Sequence, residues 1–98
     1  MSEYRLWITV PDLPLGSLDE EQPWEPWIAF LERHHSELGP VLTWDGRGGA
    51  MVIIALDADS EAHAVRAGVD VVSDALHRTG LGDRYPRLVE VEKTMVEA

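Results

Sequence analysis

Four histidines, eighteen carboxylates and four tryptophans are the side chains of this 98-residue chain that have most chemistry to offer. Their spacing commits few of them to it. His34 and His35 are adjacent. Neighbours on a helix diverge by about 100°, so the two rings do not converge on one ion. His63 and His77 stand at opposite ends of a second helical pattern, whereas helix-borne metal ligands sit three or four residues apart. Cysteine is absent, which removes disulfides, thiol nucleophiles and sulfur-ligated zinc. Asp57 and Asp59 alternate with Ala58 after an apolar run. They could share a divalent ion, but the pattern equally suits a polar strand end that leads into Ser60 as a helix cap. Gly46-Arg47-Gly48-Gly49 lacks the Lys-Ser/Thr tail of a phosphate loop, and its strand follows it instead of preceding it. Arg78, Arg84 and Arg87 gather around Gly80-Leu81-Gly82 as a local basic excess in an acidic chain. They could hold one anion, or simply offset the acidic body. No catalytic set, metal site or cofactor site is expected.

The aromatic residues offer a recognition surface instead. Trp24 and Trp27 are three apart and share a helical face. With His35 and Trp44 they are the candidates for lining a ligand cavity beneath the acidic, proline-containing connection of residues 11–23. The competing account buries both indoles in the core. His35 reads as a half-buried member of an apolar stripe, with a lone general base as its functional alternative.

A doubled strand-helix-strand rhythm must position these groups. Tyr4 to Val10 reads as a strand with Leu6, Ile8 and Val10 on one face and Arg5, Trp7 and Thr9 on the other. Pro11, which has no N–H for a sheet ladder, is expected to end it. A connection from Asp12 to Gln22 leads into a helix over about Pro23 to Leu38. Trp24, Trp27, Ile28, Leu31, His35 and Leu38 form its apolar stripe, and Gly39-Pro40 its stop. Either Pro23 or Pro26 suits its first turn. Val41 to Trp44 is a short strand, and Asp45 to Gly49 a turn. Ala50 to Leu56 is an apolar run suited to a central strand.

Ser60 caps a second helix that runs to about His77, with Ala62, Val65, Val69, Val72 and Leu76 as its stripe, widened by Ala75. Gly68 interrupts that helix where it crosses a neighbour closely. Gly80 and Gly82 end it. Leu88 to Met95 is the last strand, with Val89 and Val91 inward and Glu90 and Glu92 outward.

The order β-α-β-β-α-β with right-handed crossovers specifies an α+β fold, the ferredoxin-like βαββαβ plait. Its four-stranded antiparallel sheet has the order 4-1-3-2 and carries both helices on one face. A version in which the last strand joins a neighbouring subunit is the alternative. The uncovered face would carry Arg5, Trp7, Thr9, Glu90 and Glu92, which are the interface candidates, with Arg5 able to pair with either glutamate.

Residues 1–98 make one domain, small enough that dimerisation would help it. The net charge of −10 repels phosphate backbones and anionic lipid. No nucleic-acid or membrane partner is expected, while a basic protein partner is compatible with the charge. No basic leader with an apolar core opens the sequence, and the absence of cysteine fits a reducing compartment, so a cytoplasmic location is expected. The reading is a small acidic noncatalytic interaction or regulatory module that self-associates as a homodimer. The alternative is a small cofactor-independent enzyme or ligand-binding protein with an aromatic-lined cavity.

Overall fold

Strands β1 (Ser2–Pro14), β2 (Val41–Trp44), β3 (Gly49–Ala58) and β4 (Glu90–Glu97) form one sheet in the order β2-β3-β1-β4. Each neighbouring pair is antiparallel. Helices α1 (Glu25–His34) and α2 (Glu61–Arg78) pack on one face of it, so the expected plait is the fold of the chain. The computed structural model describes residues 2–14, 24–44, 46–47, 49–80 and 89–97. Among the described residues, no helix is long and apolar enough to cross a membrane.

The apolar alternation of β1 builds the core. Leu6, Ile8 and Val10 lie opposite Ile54, Val52 and Ala50 of β3, and all six are buried. Trp27, Ile28 and Leu31 of α1 and Ala64, Val72, Ala75 and Leu76 of α2 cover them. Each fully buried large aliphatic side chain contributes about 1.5–3 kcal/mol.

Pro11 does not end β1. The strand continues to Pro14 through a register shift, with Val10 opposite Ala50 and Pro14 opposite Gly49. A proline in such an irregular stretch forfeits no ladder bond. The first helix is shorter than its apolar stripe suggests. His35 leaves helical geometry at φ −134° and ψ 38°, although its N–H still donates to the Leu31 carbonyl at 2.8 Å. A 3-10 turn over Ser36–Leu38 follows, closed by Gly39 at φ 59° before Pro40. Pro26 is the proline in the first turn of α1, and Pro23 lies outside the described residues.

The second helix meets the sheet through smaller residues than expected. Ala62 is exposed and Val65 and Val69 are half-buried, while Ala64, Gly68 and Val72 face the sheet. Gly68 marks the closest approach. A Cβ there would lie 2.4 Å from Leu6 Cδ1 and 3.1 Å from Ile8 Cδ1. The neighbour that the helix crosses is therefore the sheet itself. Ser60 is its cap, with Oγ accepting from the His63 N–H at 3.2 Å. Ser60→Ala is expected to cost about 1 kcal/mol and Ser60→Gly only a few tenths. Urea midpoints with an unchanged slope would check this.

The last strand contains a bulge. Trp7 lies opposite Lys93 but Ile8 lies opposite Val91, so Glu92 is an extra residue. Val89 and Val91 pack against the core, and Glu90 and Glu92 are exposed, as the alternation suggests. Past the bulge the alternation is inverted. Thr94 joins the helix side, opposite Leu6, and Lys93 and Met95 move to the other side, opposite Trp7 and Arg5.

Candidate functional site

The sheet face without helices is the candidate site. Register places Arg5, Trp7 and Thr9 of β1 on it, beside Ala55, Ile53 and Met51 of β3. Val41 and Thr43 of β2 extend it on one flank, and Lys93, Met95 and Glu90 of β4 on the other. Trp7, Met51, Ile53 and Ala55 are half-buried, while Val41 is 56% and Met95 44% exposed. The apolar side chains thus form a band across all four strands.

Charge is set around this band. The Lys93 ammonium lies 4.8 Å from the centre of the Trp7 ring, within the range at which a cation is attracted to an indole face. Glu92, on the bulge, accepts from Arg47 Nη2 at 2.6 Å. Arg47 belongs to the turn between β2 and β3, so this contact draws the turn toward β4. Glu92 therefore pairs with Arg47, not with Arg5, whose register partner on β4 is Met95. Thr9 is fully buried and its hydroxyl donates to the Ala50 carbonyl at 3.3 Å. It seals one end of the band and offers no exposed surface. The exposed interface candidates on this side are Arg5, Glu90 and Glu92, with Trp7 half-buried.

Among the described residues no hollow is lined by more than one of Trp24, Trp27, His35 and Trp44, and most of the connection expected to cover them lies outside those residues. Trp27 is fully buried in the core, and Trp24 packs against its margin at the start of α1. Trp44 is 64% exposed at the end of β2. His35 is half-buried, with Nδ1 3.9 Å from Glu37 and its ring 6.3 Å from that of Phe30. His34 stacks on Phe30 at 4.4 Å. An open hollow formed by described residues, of about 380 Å³, lies at one corner of the helix-free face. Arg5, Glu37, Leu38, Val41, Ile53 and Ala55 are among its walls, and no tryptophan is. A second, of about 160 Å³, runs along α1 past Pro26, Phe30 and His34.

The other chemical candidates are dispersed. Asp57, Asp59, His63 and His77 are exposed. Among the described residues, no group of three or more histidine or carboxylate side chains could hold a metal ion. Arg78 is tied to Asp74, one helical turn away, with Nε donating to Oδ2 at 2.9 Å. Residues 15–23, Gly82, Arg84 and Arg87 lie outside the described residues, and with them the acidic connection and most of the basic cluster.

Sequence reasoning missed Lys93 and Met95 as members of the open face. Strict alternation from Val91 sends both inward, and nothing in Glu92-Lys93-Thr94 announces an extra residue. Met51, Ile53 and Val41 were within reach, since the pairing of the two central strands places them beside Trp7 and Thr9. Comparison with protein-family models, with curated proteins and with solved structures finds no match.

Proposed function

We propose that this chain is a noncatalytic interaction module that associates with a second copy of itself through the helix-free face of its sheet. The observation that carries this is the band of Trp7, Met51, Ile53, Ala55, Val41 and Met95 on a face that no described helix covers. Contiguous, partly exposed apolar surface marks partner sites in soluble proteins when it is large enough. The margin carries both signs of charge, with Arg5 against Glu3 and Glu90. Two copies related by a two-fold axis can therefore match opposite charges despite a net charge of −10 each.

Size limits the strength. Strands of 13, 4, 10 and 8 residues, about 4.8 Å apart and rising about 3.3 Å per residue, present roughly 550 Å² per protomer in flat projection. Two such faces fall below the ~1,200–2,000 Å² of stable interfaces. The association supported is therefore weak, in the micromolar range, and suited to regulation by concentration.

Sedimentation equilibrium across tens of micromolar tests the reading. The parent chain is expected to dimerise reversibly. Trp7→Glu, which puts a carboxylate at the centre of the band, is expected to remain monomeric with its helical circular dichroism intact. A parent chain that is monomeric throughout that range overturns self-association through this face. A Trp7→Glu variant that dimerises as well as the parent overturns the choice of face.

A further inference from the structure

Lys93 is the only lysine in the chain. The bulge at Glu92 turns it onto the helix-free face, where its ammonium stands 4.8 Å from the centre of the Trp7 ring. Lys93 is exposed, whereas the indole beneath it is half-buried. The most strongly hydrated cation type available to a protein thus sits over the middle of the apolar band.

We propose that Lys93 is the residue that holds self-association weak, and that its ε-amine is a modification site at which removal of the charge tightens the assembly. The inference rests on the self-association reading above. Closing a second copy over this face must strip water from the ammonium or pull it off the indole. Both steps cost free energy, because an ammonium taken out of water without a partner is heavily penalised. The nearest acid on the bulge cannot relieve this at no cost, since Glu92 is already bonded to Arg47 at 2.6 Å. The side chain also carries four methylenes, which favour apolar contact once the charge is gone. A neutral group at position 93 therefore adds to the band where the cation interrupts it.

The single lysine makes the test chemical as well as genetic. Acetic anhydride acylates the amine. The nitrogen lone pair attacks one carbonyl carbon, a C–N bond forms, acetate leaves, and the amine proton passes to buffer. The product is neutral. Reductive methylation with formaldehyde and a borohydride donor gives the dimethylamine, which keeps its positive charge. The two reagents also reach the α-amino group, so Lys93→Arg treated in the same way reports that contribution alone.

Sedimentation equilibrium of these species, with Lys93→Met as the genetic equivalent, decides the matter. Acetylated parent and Lys93→Met are expected to associate about tenfold or more tightly than the parent. That corresponds to about 1.4 kcal/mol. Dimethylated parent and acetylated Lys93→Arg are expected to match their untreated forms within about twofold. A dimeric parent whose Lys93→Met variant is unchanged or weaker overturns this inference while leaving self-association standing. It would mean that the ammonium meets a carboxylate of the second copy. If the parent, the acetylated protein and Lys93→Met all sediment as monomers, the self-association reading fails, and this inference fails with it.

Discussion

Trp27→Ala is expected to cost about 3–5 kcal/mol, the range for truncating a buried aromatic. That is a large part of the ~5–15 kcal/mol that holds a domain of ordinary stability together. Trp27 is fully buried and touches the cluster that joins α1 to the sheet. Its loss leaves a cavity that neither the helix nor the sheet can collapse to fill. Trp27→Phe is expected to behave differently. Among the described residues the Trp27 indole N–H has no hydrogen-bond partner, although it is buried. An orphaned buried donor costs about 1–3 kcal/mol, and phenylalanine removes it while keeping most of the apolar volume. Urea unfolding should therefore rank the parent and Trp27→Phe close together, within about 1 kcal/mol, with Trp27→Ala far below. A phenylalanine variant as unstable as the alanine variant would mean that the indole nitrogen is satisfied in solution.

The second large effect is expected at Gly68, where any side chain on α2 collides with the sheet. The 2.4 Å separation between an added Cβ and Leu6 Cδ1 is shorter than real Cβ contacts allow. Gly68→Leu is expected to cost about 3 kcal/mol, at the top of the range for overpacking. Gly68→Ala gains up to ~1 kcal/mol in helix propensity. It is still expected to be destabilised, because Leu6 is fully buried and its Cδ1 must move within the packed core to admit the added methyl. Leu6→Val removes that atom. Combined with Gly68→Ala it should be more stable than the two single losses predict, with a coupling of about 1 kcal/mol in a double-mutant cycle. Additive losses would show that the helix shifts bodily and the contact is not the cause.

Gly68 and Trp27 also show how far this fold was legible in the sequence. The central position of β3 and the sidedness of β1 follow from the apolar patterning, which records which side of each element is dry, and the strand order follows once right-handed crossovers are added. Patterning by side-chain size was less reliable on α2. It favoured Val65 and Val69, whereas the buried line runs through Ala64 and Gly68. A helix lying tightly on a sheet selects small residues at the crossing, so the most buried positions there have the least hydrophobic mass. The end of α1 was misplaced for a related reason. The spacing of His35 and Leu38 continues the stripe, but the chain leaves the α-helix at His35, and Leu38 reaches the core from a tighter 3-10 turn, which also keeps i+3 neighbours on one side. The open face was half visible. Trp7 identified it, while Lys93 and Met95 were hidden by one unpaired residue, which leaves no compositional trace.

The place of β1 has a consequence for the making of the protein. This strand is flanked by β3 on one side and β4 on the other, and its pairings with β4 join opposite ends of the described chain, such as Glu3 with Glu97. During synthesis β4 leaves the ribosome after every other described element of this sheet. At about 5–20 residues per second, one flank of β1 stays open for seconds after its own partner β3 has emerged. Over that interval Arg5 to Val10, a run rich in branched and aromatic residues, is a bare template for the same strand on a neighbouring nascent chain. Closing so long a loop is also slow, since its entropy is lost before any contact repays it. The interval of greatest hazard for this chain therefore falls before β4 docks, and a transcript cut short of β4 would make that hazard permanent.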